Sequence, residues 1–165
     1  MSVAFRRESD EEHLEPKFEI PVPAGPNLVT ARGLRLIAAR EAELQAQLEA
    51  TRDEAVIAAL KRDLRYWSTR HITAELAPIA TGDRVDLGTK VRVLLNGKPR
   101  TFELVGHDEA EPGAGLIAYN APLSRAMLGA EVGDVLAFGE VSEAIEIVEI
   151  TVSEDEPAHP QPRKR

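Results

Sequence analysis

Apolar side chains between residues 30 and 75 fall on a helical period. Leu34, Ile37, Leu44 and Leu48 recur in steps of three, seven and four, and Glu41 fills the slot that would complete the stripe. A second seam runs Ile57, Leu60, Leu64, Trp67, in steps of three, four and three. The Ala, Glu, Gln and Arg residues between them favour helix. Thr30 is placed to cap the first helix, and the polar stretch "EATRDEA" separates the two seams. A short polar connection between long helices predicts an antiparallel pair. The polar faces are wide and the stripe narrow, so the pair is expected to project as a hairpin, each arm about 27–33 Å long at 1.5 Å per residue. Pro78 is expected to end the second helix.

From Lys90 the period changes. "KVRVLLNGKPRTFELVG" holds two strand-like runs, 90–95 and 100–105, about an Asn-Gly pair, a strong hairpin signal. Runs at 115–120, 134–139 and 143–152 complete five expected strands. In the last, Val148 falls out of step with Ile145, Ile147, Ile150 and Val152. Among these runs only "APLSRAMLG" reads as helix, started by Pro122 and stopped by Gly129. The fold class predicted is α+β: an antiparallel helical hairpin, then an antiparallel sheet with one short helix on its face. The expected organisation is a disordered or loosely docked tail over 1–27, the hairpin over 28–78, the β domain over 79–152 and a disordered tail over 153–165.

Charge narrows the partners. The chain of 165 residues has net charge −8, and residues 79–152 contribute −6 of it. Direct binding to a nucleic-acid backbone wants a basic surface. An acidic domain more readily meets a basic protein. There is no cysteine, which removes disulfides and thiolate metal sites and fits a reducing compartment. No apolar run is long enough to span a membrane, and the charged start lacks the apolar stretch of a signal peptide. The expectation is a cytoplasmic monomer without membrane contact. The four histidines are scattered without metal spacing, and no Gly-rich phosphate loop stands between a strand and a helix.

Two stretches carry a family resemblance. "LVTARGLRLI" (28–37) is similar to the Leu-Val-Thr-x-x-Gly opening of the GreA/GreB transcript-cleavage factors of bacterial RNA polymerase. "LVGHDEAEPGAGLIAYNAPLSRAMLGAEVGD" (104–134) resembles their best-preserved stretch. It contains Val105, Gly106, Asp108 and Glu109, then Leu116, Ile117 and Pro122, then Gly129 and Glu131-Val132-Gly133-Asp134. The resemblance spans 28–152 in order. It implies a coiled-coil hairpin followed by an FKBP-like β domain. It also implies RNA polymerase as partner, with the β domain at the rim of the secondary channel and the hairpin inside it. Contact with nascent RNA and DNA is then indirect. The factor is not an enzyme and has no cofactor of its own. In the family, acidic side chains at the tip help hold a Mg²⁺ in the polymerase active site, a hard cation that accepts one or two carboxylates.

The family's tip motif, Gly-Asp-x-x-Glu-Asn-Ala-x-Tyr, is absent here, and the arms look shorter by about ten residues each, or about 15 Å. The acidic candidates remaining at the tip are Glu49, Asp53 and Glu54. Asp53 and Glu54 could ligate a metal only jointly with the polymerase, and acids in the first turn of a helix also simply complement its dipole. By analogy, the polymerase-docking candidates are Asp108, Glu109, Pro122 and Asp134. For Asp108, Glu109 and Asp134 the competing reading is that they form turns. The reading that follows is an elongation factor acting at the secondary channel. Its alternatives are a channel competitor that does not stimulate cleavage, and a generic interaction module. Prolyl isomerase activity would need an aromatic-lined pocket, and residues 79–152 offer only Phe102, Tyr119 and Phe138.

Overall fold

The computed structural model describes residues 19–154. The tails expected at 1–27 and 153–165 therefore lie largely outside the described residues. Where they enter it, Asn27 is buried in a strand and Ser153 N–H donates to Gly88 O at 2.8 Å.

Helices α1 (Ala31–Ala50) and α2 (Glu54–Thr73) form the hairpin, 20 residues each. Each arm is thus about 30 Å long. Ile37, Leu44 and Leu60 are buried along the seam, while Leu34, Leu48, Ile57, Leu64 and Trp67 are half-buried. Glu41, the polar interruption of the stripe, is answered from α2. Ser68 Oγ donates to its Oε1 at 2.7 Å, and His71 Nδ1 meets its Oε2. The Ser68 hydrogen bond, helped by His71, holds the Glu41 carboxyl below the ordinary glutamate range. A mismatch in the apolar pattern is thereby converted into a cross-hairpin polar contact.

Helix α2 stops at Thr73, five residues before Pro78. Asn27 explains the early stop: its Nδ2 donates to Arg70 O at 2.8 Å, satisfying a carbonyl of the last turn. The chain then becomes β2 (Ala74–Leu76), which pairs in parallel with β1 (Asn27–Val29). The strands entering and leaving the hairpin are thus stitched together at its base.

The second unit is a five-stranded sheet with order β5-β4-β3-β7-β6. Strands β3 (Thr89–Leu95) and β4 (Lys98–Val105) are joined by a two-residue turn, in which Asn96 and Gly97 both have positive φ, 50° and 79°. That is the conformation for which Asn-Gly is selected. Strands β6 (Val135–Phe138) and β7 (Val141–Val152) complete the antiparallel part. Val148 is the extra residue of a bulge, since Arg92 pairs with Glu149 and the next residue, Val93, with Ile147. The bulge keeps both Ile147 and Ile150 on the buried face despite their odd spacing.

The sheet is mixed, not wholly antiparallel as the sequence suggested. Strand β5 (Leu116–Ala118) lies parallel to β4 because the connection between them runs through two short 3-10 turns, His107–Glu109 and Pro112–Ala114, and returns to the starting end. Helix α3 (Pro122–Met127) places Met127 in the core with Val91, Val93, Leu104, Ile145 and Ile147. The turn-rich stretch before β3 is packed as well: Val85 is buried and exchanges backbone hydrogen bonds with Gly129 and Ala130, both at 2.8 Å.

Candidate functional site

The hairpin tip and its base present different chemistry. At the tip, Glu49, Asp53 and Glu54 are all exposed, as expected for residues around a three-residue connection. Asp53 is the N-cap of α2, and its Oδ1 accepts from Ala55 N at 3.0 Å and Val56 N at 3.3 Å. Glu54 lies in the first turn of α2 and complements the helix dipole. No group of three or more metal-ligating side chains gathers among the described residues. One carboxylate oxygen of Asp53 is committed to the cap.

At the base, the two resemblance-bearing motifs meet. Asp108, from the turn after β4, accepts from Arg70 Nε at 2.6 Å and from the Tyr66 hydroxyl. Arg70 completes its guanidinium contacts with Asn27 Oδ1 at 2.6 Å. The side chains of Arg70 and Asp108 are each 4% exposed. Tyr66 and Arg70 stand four residues apart on α2 and so share one face. Burial, with the Asp108 carboxylate beside it, pushes the Tyr66 hydroxyl well above the usual tyrosine range.

Glu109 forms the second half of the joint. It accepts from Thr30 Oγ1 at 2.7 Å and from Arg32 Nε, while Arg32 Nη2 reaches Glu103 at 2.8 Å. The two carboxylates hold the Arg32 guanidinium raised above its usual range, against the opposing effect of its partial burial. Thr30 Oγ also receives Gly33 N at 2.9 Å, so one hydroxyl caps α1 and binds Glu109. Helix α1 has no acid in its own first turn, and Glu109 supplies the negative charge that the helix end favours.

Both glycines of the motifs are explained by this contact. A Cβ on Gly33 would stand 2.8 Å from Glu109 Oε2, and one on Gly106 would stand 2.9 Å from Leu28 O. Leu-Val-Thr-x-x-Gly and Val-Gly-x-Asp-Glu are therefore the two sides of one close-packed joint between hairpin and sheet.

This corrects two of the docking candidates. Asp108 and Glu109 are turned inward, with side chains 4% and 3% exposed, and their oxygens are occupied. They join the two units and present no charge to a partner. Pro122 and Asp134 do face solvent. Pro122 opens α3, and Asp134 Oδ2 accepts from Glu131 N at 2.8 Å. Between them Leu128 and Val132 are exposed, and Val135 follows. Arg70, Tyr66 and Arg32 were not singled out from sequence as joint residues. The available signal was the i, i+4 pairing of Tyr66 with Arg70, together with two adjacent acids whose partners lay dozens of residues away.

Residues 80–152 match the profile of the family described as "Transcription elongation factor, GreA/GreB, C-term". The transcription elongation factor GreA of Rhizobium leguminosarum bv. viciae is 33% identical over 75 residues, 43% of this chain and 48% of that protein. GreA of Zymomonas mobilis is 42% identical over 55 residues, 33% of this chain and 35% of that protein. The chain thus spans about half or less of the length of these curated relatives. Among solved structures, the GreA factor homolog 1 of Thermus thermophilus covers 77% of this chain and 99% of its own, at 18% identity and a TM-score of 0.37. The GreA/GreB factor of Nitrosomonas europaea covers 78% and 99%, at 18% identity and a TM-score of 0.37. The sheet with its short helix and the glycine-dependent turn after β4 thus lie within the stretch, residues 80–152, that is similar to the C-terminal domain of the GreA/GreB family.

Proposed function

We propose that this chain is a transcription elongation factor that binds RNA polymerase at its secondary channel and occupies the channel without stimulating transcript cleavage. The observation that carries the reading is the buried joint. Two charged clusters, Arg70–Asp108–Tyr66 and Arg32–Glu109–Thr30, fix a hairpin about 30 Å long to a family-typed β domain. Such a joint suits a part that docks with one end and inserts the other. On the β domain the docking proposal keeps Pro122 and Asp134, around exposed Leu128 and Val132. The exposed Asp134 on this acidic domain suits a basic partner surface.

Occupancy without cleavage is favoured by the tip. Asp53 serves as a helix cap, and the set Glu49, Asp53, Glu54 does not gather as ligands. A carboxylate contributes to magnesium only when its oxygen reaches about 2.1 Å from the ion. The protein is not itself an enzyme in this reading. The experiment is a stalled, backtracked elongation complex of the cognate polymerase with labelled RNA. The chain is expected to leave the RNA length unchanged and to slow cleavage by an added Gre factor. Shortening that is lost in the Asp53→Ala/Glu54→Ala variant would make it a cleavage factor instead. Neither shortening nor competition would remove the channel from the account.

A further inference from the structure

Beside the start of α1, a cavity of about 340 Å³ is lined by Arg32, Lys90, Glu103, Thr151, Ser153 and Glu154. The strand register builds it. Lys90 of β3 lies opposite Glu103 of β4 on one side and Thr151 of β7 on the other, so the three share one face of the sheet, turned away from buried Val91. Ser153 is the informative member. It is 7% exposed, and its hydroxyl has no hydrogen-bond partner. Its backbone N–H donates to Gly88 O at 2.8 Å, which fixes the residue in place. Buried hydroxyls are nearly always paired, and leaving one unpaired is costly. Two charges around it are also unspent. Lys90 and Glu154 are exposed, and neither side chain makes an ion pair among the described residues. Glu103, in contrast, gives one oxygen to Arg32 Nη2 at 2.8 Å, and the Thr151 hydroxyl donates to Lys90 O at 3.4 Å.

The pattern of charge selects the ligand. A simple anion drawn to Lys90 would face the carboxylates of Glu103 and Glu154. A bare metal ion drawn to those carboxylates would face Arg32 and Lys90, and no three metal-ligating side chains gather among the described residues. A molecule that carries both signs meets neither objection. We infer that the cavity is a binding site for a small zwitterion with a carboxylate and an ammonium group, the chemistry of a free amino acid. The ligand carboxylate accepts from Lys90 Nζ and Ser153 Oγ, and its ammonium donates to Glu154. Such charge-assisted hydrogen bonds are the strong ones. Val152, which also lines the cavity and is 38% exposed, offers apolar surface to the carbon between the two charges. The volume lies at the small end of the range for ligand pockets, roughly 300–1,000 Å³. The cavity borders the joint through Arg32 and Glu103, but the inference does not rest on the channel reading and stands or falls without it.

The test titrates the isotope-labelled full chain and follows its amide signals by NMR. Glycine, L-alanine and L-glutamine are the probes. Acetate, phosphate, methylammonium and magnesium chloride are the controls of single sign. The expected result is a saturable shift of the Lys90 and 151–154 amides with at least one amino acid, at millimolar concentration, and none with the controls. Lys90→Met keeps the aliphatic stem at an exposed position, and Ser153→Ala removes only the unpaired hydroxyl, so both are expected to fold as the parent does. Each is expected to weaken binding about tenfold. Glu154→Gln is expected to weaken the amino acid and to admit acetate, since one repelling carboxylate is gone. No saturable shift with any of the three amino acids up to about 0.1 M would overturn the proposal. So would acetate or phosphate binding the parent as tightly, which would make it a plain anion site, or magnesium doing so. Binding untouched by Lys90→Met would place the ligand elsewhere and overturn it too.

Discussion

Removing the Asp108 carboxylate is expected to loosen the hairpin from the sheet before either unit unfolds. Arg70 is 3% exposed, and its guanidinium has two partners, Asp108 and Asn27. In Asp108→Ala the cation stays buried with only the Asn27 amide oxygen, and the Tyr66 hydroxyl loses its acceptor. Breaking a buried pair from one side typically costs about 3–5 kcal/mol, mainly because the remaining charge is left uncompensated. The hydroxyl adds about 1 kcal/mol. Asn27 offsets part of this, so a loss of about 3 kcal/mol is the working figure. Arg70→Ala leaves a buried carboxylate instead and belongs in the same range. Replacing both by apolar groups, as Arg70→Met/Asp108→Leu, removes the uncompensated charge and is expected to cost far less than the sum of the single changes. Trp67, the only tryptophan, reports on the joint, since it packs edge-on against Tyr66 with ring centroids 5.3 Å apart. In urea titrations of the parent, Trp67 fluorescence and far-ultraviolet dichroism are expected to coincide. In Asp108→Ala the fluorescence transition is expected first. A single-variant loss below about 1 kcal/mol, or a double variant equal to the sum, would refute the view that this pair joins the units.

Three other outcomes follow from single contacts. Gly106→Ala puts a methyl 2.9 Å from the backbone oxygen of Leu28; since backbone yields less than a side chain, urea melts are expected to show a loss of about 1–3 kcal/mol. Asp53→Ala removes the cap of α2 and is expected to cost about 1 kcal/mol, with Asp53→Asn retaining most of it. Glu41 has its folded-state pKa lowered by Ser68 and then His71; its contribution is full above the ordinary glutamate range, about pH 4, and is lost as pH falls through the lowered value. Glu41→Gln is accordingly expected to flatten the stability-against-pH curve below about pH 4.

The elements that sequence patterning reached are those with a sustained period or a specific turn. The two helical seams, the Asn96-Gly97 hairpin and the phase break at Val148 are all local signals, and each has a direct structural counterpart. Strands β1 and β2 were missed because three residues cannot display a period, and their pairing joins positions 47 apart, Asn27 with Ala74. The same limit hid the parallel seating of β5, which depends on how far the preceding loop returns. Asp108 and Glu109 read as turn formers because burial by a distant helix leaves no trace in neighbouring residues. Only the two motif glycines hinted at close approach, and their partners became visible in three dimensions. At the tip, sequence placed the acids correctly, but only the hydrogen bonds of Asp53 show that its carboxylate is already in use.

The central claim is that the joint holds the hairpin so that its tip enters the polymerase secondary channel. The most direct measurement attaches an iron chelate through Arg52→Cys, at the tip of the cysteine-free chain, and generates hydroxyl radicals in the complex with the cognate polymerase. The account predicts cuts in the polymerase chains lining the secondary channel near the active centre, weakened when Asp108→Ala is added. Absence of cuts there, or cuts confined to the outer surface of the polymerase, would contradict it.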